Sequence, residues 1–316
     1  MSDDSSLELP FPHRRNPHQS HATQHHQEWL HRHRELAAST GELAYARWEV
    51  PELAALTYPE SSAEDLDLAA DLMGFYFLFD DQFDDALGRE PERVAVICER
   101  LTAIIHSTRP LGSTPTERAF ADLWRRSLQG MSARWRARAA YNWEWYFACH
   151  PAEAAGRISS RLPDREGYLM LRRGTAAMET IFDMVERLGR FEVPQAVLHH
   201  PVLRQLRQLA ADIPSLSNDV RSYAQELARG DVANLVMIVQ RERGCPADEA
   251  ASVVMAEAQL MVHRFAELMD QLPEVYSLLG LTAAERHSAH RYADGLAAWT
   301  AGYLRWEART GRYVAG

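Results

Sequence analysis

Two clusters of oxygen-bearing side chains could do chemistry in this chain. The first is Asp80-Asp81-Gln82-Phe83-Asp84-Asp85, which follows the apolar run Phe75-Tyr76-Phe77-Leu78-Phe79. On a helix, Asp80 and Asp84 lie one turn apart on one face, with Asp81 beside them. Crowded carboxylates repel one another, and aspartate is a poor helix former. Bound cations would relieve the repulsion, and Mg²⁺ in particular takes one or two carboxylates together with phosphate oxygens and water. The plain alternative is a solvated acidic helix end. The second cluster is Asn218-Asp219-Val220-Arg221-Ser222-Tyr223-Ala224-Gln225-Glu226. Asn218, Ser222 and Glu226 stand at i, i+4 and i+8, so they form one stripe on a helix. The stripe offers an amide oxygen, a hydroxyl and a carboxylate, which is a hard-oxygen set for a cation. Leu216, Val220 and Leu235 around it are apolar, which makes a merely solvated face a less natural reading.

The elements that must carry these clusters read as helices. Ala, Leu, Glu and Arg dominate the chain, and period-two alternation of β-branched residues is almost absent. Helices are expected at 61–87 with Ser61 or Ser62 as cap, at 90–106, and at 115–135 behind a Thr114 cap and Pro115. Further helices are expected at 138–155, 164–188, 201–229, 231–242, 246–271 and 283–309, with Pro214 breaking the 201–229 segment in two. The fold class is all-α, a single domain. Residues 1–35 are set apart as a polar segment holding seven of the fourteen histidines. That segment is expected to be flexible or to cap the active site, and its irregular histidine spacing argues against a metal-binding arm.

Composition narrows the function classes. With 316 residues and 46% hydrophobic composition, the chain can bury a large core. A net charge of -10 without a basic stripe argues against nucleic acid as a partner. The longest apolar runs fall far short of the ~20 residues that span a bilayer, and no apolar leader is seen at the N-terminus. Cys98, Cys149 and Cys245 form no C-x-x-C pair, so they are read as reduced thiols of a cytoplasmic protein.

Taken together, the two clusters resemble the bacterial class I terpene synthases. That family pairs an aspartate-rich D-D-x-x-D motif with a later N-D-x-x-S-x-x-x-E motif, and here Asp80 and Asn218 are 138 positions apart. Other matches follow the family's order along almost the whole chain. Arg172 stands 46 positions before the motif asparagine, where the family places a diphosphate sensor. Arg312-Tyr313 stands where the family has its C-terminal Arg-Tyr pair, after Trp306 and Thr310. Gly230-Asp231 with Asn234-Leu235-Val236, and Pro10-Phe11-Pro12 with Asn16-Pro17-His18, also look like the family. One position departs: Gln225 stands where the family usually has Lys or Arg, and Arg221, one turn earlier, is the expected replacement.

The resemblance implies a helical bundle, residues 36–316, around an apolar pocket. Asp80, Asp81 and Asp84 on one wall and Asn218, Ser222 and Glu226 on the other would hold three Mg²⁺ ions. Arg172, Arg221, Arg312 and Tyr313 would bind the diphosphate of an isoprenyl substrate, with Arg172, Arg312 and Tyr313 helping its departure. Tyr76, Phe77, Thr175, Ala176, Trp299 and Trp306 would line the pocket, Thr175 and Ala176 at the family's linker and effector positions. The implied reaction is cyclisation of farnesyl diphosphate to a sesquiterpene, with geranylgeranyl diphosphate as the alternative substrate. An isoprenyl diphosphate synthase is disfavoured because the chain has one D-D-x-x-D motif instead of two. A non-enzymatic helical interaction protein gives no reason for arginines at these spacings. A homodimer is left open.

Overall fold

The computed structural model describes residues 7–38, 40–84, 86–106, 112–159, 163–231 and 233–313. Every regular element among them is helical. The helices run α1 Gln19–Arg32, α2 Glu42–Ala46, α3 Val50–Thr57, α4 Ala63–Asp80, α5 Pro91–Ile105, α6 Pro115–Ser127 and α7 Ala133–Ser159. The second half runs α8 Arg165–Thr175, α9 Met178–Gly189, α10 Gln195–Leu198, α11 Pro201–Arg229, α12 Leu235–Arg243, α13 Ala247–Leu278 and α14 Ala283–Glu307. Short 3₁₀ turns at Asp81–Phe83 and Gly311–Tyr313 carry functional side chains off the ends of α4 and α14.

Side-chain caps fix several of these ends. The Ser62 hydroxyl accepts from Asp65 N, and Thr114 does the same for Glu117 N. Thr282 and Glu285 form a reciprocal capping box that opens α14. Several expected boundaries move, and the helix expected at 115–135 ends at Ser127, with α7 opening at Ala133. The single helix expected at 164–188 is two, because Ala177 takes a left-handed conformation at φ 59 and breaks the run between α8 and α9. An Ala in that region is uncommon, since its Cβ crowds the backbone. Conversely, Pro214 does not break α11, which runs on through it. Proline removes one backbone donor and tends to kink a helix. Here α11 packs along its length against α13 and α14, and that tertiary burial holds it together.

The helix α4 is buried on nearly all sides, including Asp65, Asp67 and Asp71. Buried carboxylates need partners; Arg187 and Arg190 serve Asp65, and the N-terminal histidines serve Asp67 and Asp71. His26 Nδ1 lies 2.9 Å and His25 Nε2 3.1 Å from Asp71, with Arg126 Nη1 at 2.7 Å. His21 Nδ1 lies 3.0 Å from Asp67. The hydrogen bond to Asp71 raises the His25 pKa, against its partial burial. Burial alone would raise Asp71, but the bonds from His25 and His26 and the nearby positive charge hold it below the usual carboxylate range. From Gln19 the N-terminal segment is helical as far as Arg32. His21, His25, His26 and His31 lie on α1, which packs on α4, and Asn16 donates to the carbonyls of Tyr58 and Ser61 at 2.9 and 2.8 Å. Spacing did not show this because the histidines answer acids on another helix.

Asp71→Ala should lower unfolding stability by about 3–5 kcal/mol, the cost of leaving buried charges unpaired. Urea unfolding checks this: the midpoint should fall with the slope unchanged. A midpoint like that of the parent would mean that the His–Asp–Arg cluster contributes nothing net.

Candidate active site

One cavity of about 260 Å³ gathers both motifs. Asp80, Asp81 and Asp84 line it from the end of α4 and the turn beyond, and Asn218, Ser222 and Glu226 line it from α11. Asp85 lies outside the described residues. The expected continuous helix through 87 ends at Asp80, and the 3₁₀ turn still delivers Asp81 and Asp84 to the same cavity. Burial raises the Asp80 pKa, and the neighbouring Asp81 charge raises it further. Burial, then Asp80, pushes Asp84 up to about 7, against the opposing charge of Arg229. Burial and mutual repulsion thus disfavour the ionised forms of Asp80 and Asp84.

The second motif is held by a network that fixes each donor. Arg172 Nη2 donates to Asn218 Oδ1 at 2.5 Å, and Asn218 Nδ2 donates to the buried Glu307 at 3.1 Å. These two partners set which end of the amide faces which neighbour. The Ser222 hydroxyl donates to the Asn218 carbonyl at 2.8 Å. Glu226 accepts from Asn234 Nδ2 at 2.9 Å. Asp219 does not join the stripe. It accepts from the Tyr168 hydroxyl and from Leu235 N, and so clamps α11 to α8 and α12. Burial pushes its carboxyl up to about 7, although the facing Arg172 opposes the shift. The Nε of Arg172 is buried without a hydrogen-bond partner, 3.5 Å from an Asp219 oxygen.

Arg312 reaches the acidic motif from the C-terminal turn. Its Nη2 donates to Asp81 at 2.6 Å, and its guanidinium lies 4.3 Å from the Trp48 ring centroid and 4.5 Å from that of Phe77. The turn is pinned by the Thr310 hydroxyl on the Trp48 carbonyl at 3.0 Å and by Gly311 N on the Arg47 carbonyl at 2.9 Å. The Tyr313 hydroxyl meets that of Tyr303 at 3.3 Å, and both residues line the cavity.

Tyr76, Phe77, Thr175, Ala176 and Trp299 all line the cavity, so the broken α8–α9 junction forms part of its wall. Two of the expected residues stand apart from the cavity wall. Trp306 is not among the lining residues: it is buried and stacks on Phe77 at 5.4 Å, while its indole N–H donates to the Trp48 carbonyl at 2.6 Å. Arg221 also lies off the cavity wall, with Nε 3.4 Å from Glu307, so its charge faces a buried carboxylate. Gln225 lines the cavity, and the cation beside it is Arg229, one turn later, paired with Asp84 at 2.7 Å.

Sequence reasoning missed Arg229, Arg157 and Glu153. Arg157 donates to Asp231 at 2.9 Å and to the Phe83 carbonyl at 3.0 Å, tying α7 to both motif-bearing walls. Glu153 and Arg157 form an i,i+4 pair on α7, and that spacing is the one signal that could have found them. Burial pushes Glu153 up to about 7 and His150, one turn before it, down to about 3, so the imidazole is neutral.

The donor set fits a hard divalent cation. It offers carboxylate, amide and hydroxyl oxygens on two walls, with arginines between them that remain charged and match phosphate oxygens. Residues 71–264 match the family described as "Terpene synthase family 2, C-terminal metal binding". The crystal structure of germacradien-4-ol synthase from Streptomyces citricolor superposes with a TM-score of 0.92 at 67% identity, over 98% of this chain and 100% of that one. Pristinol synthase of Streptomyces pristinaespiralis is 36% identical over 98% of this chain and 84% of its own length. The (2E,6E)-farnesyl diphosphate-cyclizing (-)-beta-caryophyllene synthase of Saccharothrix espanaensis is 35% identical over 98% of this chain and 89% of its own. No helix among the described residues is long and apolar enough to cross a membrane. With the all-α fold, the two facing oxygen-rich motifs and these relatives in hand, the chain belongs to the bacterial class I terpene synthases, metal-dependent lyases that cyclise isoprenyl diphosphates.

Proposed function

We propose that this enzyme ionises farnesyl diphosphate with three Mg²⁺ ions and closes the resulting cation to a sesquiterpene, releasing diphosphate. The observation that carries the reading is that both oxygen-rich motifs, Arg172, Arg312 and Tyr313 line one cavity that also presents aromatic and aliphatic side chains, among them Trp48, Leu53, Met73, Phe77 and Trp299. The farnesyl length follows the name of the Saccharothrix relative. A germacradiene alcohol is the product class to seek first, because the 67% identical relative bears that name.

Asp80, Asp81 and Asp84 would hold cations from one wall, and Asn218, Ser222 and Glu226 from the other. Mg²⁺ supplies positive charge against the departing diphosphate, which lowers the barrier to C–O heterolysis. Arg172, Arg312, Arg157 and Arg229 line the same cavity and would donate to its oxygens, and Tyr313 adds a hydroxyl donor. The work of these residues is electrostatic and already oriented before the bond breaks, the condition under which such groups contribute most. The carbon chain would lie against Phe77, Tyr76, Trp299 and Tyr303, whose ring faces attract a cation by roughly 0.5–2 kcal/mol each. Incubation with C10, C15 and C20 isoprenyl diphosphates, with Mg²⁺ or with excess chelator, tests the reading by analysis of volatiles. A cyclic product from the C15 substrate alone, abolished by chelator, is expected. Turnover of the C20 substrate in preference, or activity undiminished by chelator, would overturn it.

Phe77 should steer the product. It lies between Trp306 and the Arg312 guanidinium, so truncation to Ala would also unseat Arg312. Phe77→Leu keeps bulk and removes the ring. Losing one ring contact of ~0.5–2 kcal/mol should change the proportions of competing products by roughly 2–30-fold. Diphosphate release should change less. Unaltered product proportions in Phe77→Leu would make the residue structural.

A further inference from the structure

Beneath Asp80, the side chains of His150 and Glu153 on α7 bring a nitrogen and a carboxylate toward the same point. One ligand atom from each of Asp80, His150 and Glu153 lies within 4.8 Å of the other two. Three ligand atoms spread evenly about 2.1 Å from a single small cation stand about 3.6 Å apart. An inward movement of at most ~0.7 Å by each would seat one ion between them, with water free to take the other positions. His150 is 2% exposed, yet neither of its ring nitrogens has a hydrogen-bond partner. Leaving a buried polar group unmatched costs about 1–3 kcal/mol. The ring is held in place by Phe79, Tyr146 and Phe83, at centroid distances of 5.1, 4.8 and 5.2 Å. None of the three residues hydrogen-bonds the ring, whereas the two carboxylates border the cavity. A neutral imidazole with a free lone pair is the form that ligates metals.

We propose that Asp80, His150 and Glu153 form a three-residue cation site on the inner wall of the cavity, with His150 supplying a nitrogen ligand and with a preference for a first-row transition ion such as Mn²⁺ over Mg²⁺. Mg²⁺ favours an all-oxygen shell, whereas an imidazole nitrogen draws first-row transition ions, among which Mn²⁺ binds most weakly and serves as the spectroscopic probe. The site rests on the cation role proposed for Asp80 and on nothing else in that reading. Arg157, 3.4 Å from Glu153, is the nearby positive charge such an ion would meet. The Arg157 bonds to Asp231 and to the Phe83 carbonyl can hold it back from the ion.

The test is pulsed electron paramagnetic resonance on the full chain with one equivalent of Mn²⁺, alone and with inorganic pyrophosphate. A directly bound imidazole nitrogen should appear as ¹⁴N modulation, and labelling the chain with ¹⁵N-histidine should convert the pattern without any substitution. The modulation should vanish in His150→Phe, His150→Gln and Asp80→Asn. The Mn²⁺ Kd should rise by roughly tenfold in His150→Phe while the Mg²⁺ Kd stays unchanged. Mn²⁺ bound through oxygen alone would show that water, not metal, fills the space beside His150. That result would overturn the site and leave the role of Asp80 standing. Nitrogen modulation that survives His150→Phe would place the nitrogen elsewhere and overturn it as well. A chain that binds no Mn²⁺, with or without pyrophosphate, would overturn both this site and the cation reading of the function.

Discussion

Asp80→Asn is expected to lower kcat/KM by roughly 100-fold or more, the loss seen when a group that serves developing charge is removed. The substitution is nearly isosteric, and it sits at the last residue of α4, where the α-helix passes into a 3₁₀ turn. Stability should not suffer. Burial and the Asp81 charge both disfavour the ionised Asp80, so a neutral amide relieves repulsion in the cation-free protein. The variant should therefore melt at the same temperature as the parent or slightly higher, while losing turnover. A structural residue would show the opposite pattern, with stability lost alongside activity. Excess Mg²⁺ should recover part of the activity if the defect lies in cation affinity. Full activity in Asp80→Asn would remove the acidic motif from the mechanism altogether.

Local patterns were legible in the sequence, and contacts between elements were not. The stripe Asn218, Ser222, Glu226 depends on helical spacing within one element, so it survives in the fold unchanged. The caps at Ser62, Thr114 and Thr282 are local for the same reason. Arg221 was a sound guess by spacing and lies off the cavity, because a buried Glu307 on α14 faces it. Nothing in the sequence around 221 announces that acid. Trp306 follows the same logic: its ring stacks on Phe77 and its N–H goes to Trp48, a residue 258 positions away. The break at Ala177 was illegible because alanine gives no sign of a left-handed backbone. Pro214 misled in the other direction, since burial against α13 and α14 outweighs a local breaker. The N-terminal histidines make the point most plainly, for their spacing matters only against Asp67 and Asp71 on α4.

Arg172 carries the second large expectation, and here the conservative substitution is the informative one. Its guanidinium touches Asn218 at 2.5 Å and lies 3.5 Å from Asp219, so one side chain orients the cation stripe and stands on the cavity wall. Burial works against its charge, but Tyr168 and Asp219 hold it protonated. Arg172→Ala should cost roughly 10²–10³-fold in kcat. It should also release the Asn218 amide, which keeps only its Glu307 partner. Arg172→Lys retains the charge but not the planar fork, and an ammonium cannot serve Asn218 and a diphosphate with the same geometry. If positioning matters as much as charge, Lys should recover less than about a tenth of the lost rate, which corresponds to a remaining deficit of ~1.4 kcal/mol or more. Pyrophosphate binding separates the two contributions. Its affinity should fall strongly in Arg172→Ala and only modestly in Arg172→Lys, while kcat falls steeply in both. Near-parental kcat in Arg172→Lys would mean that charge alone is required, and that the bond to Asn218 is incidental to ionisation.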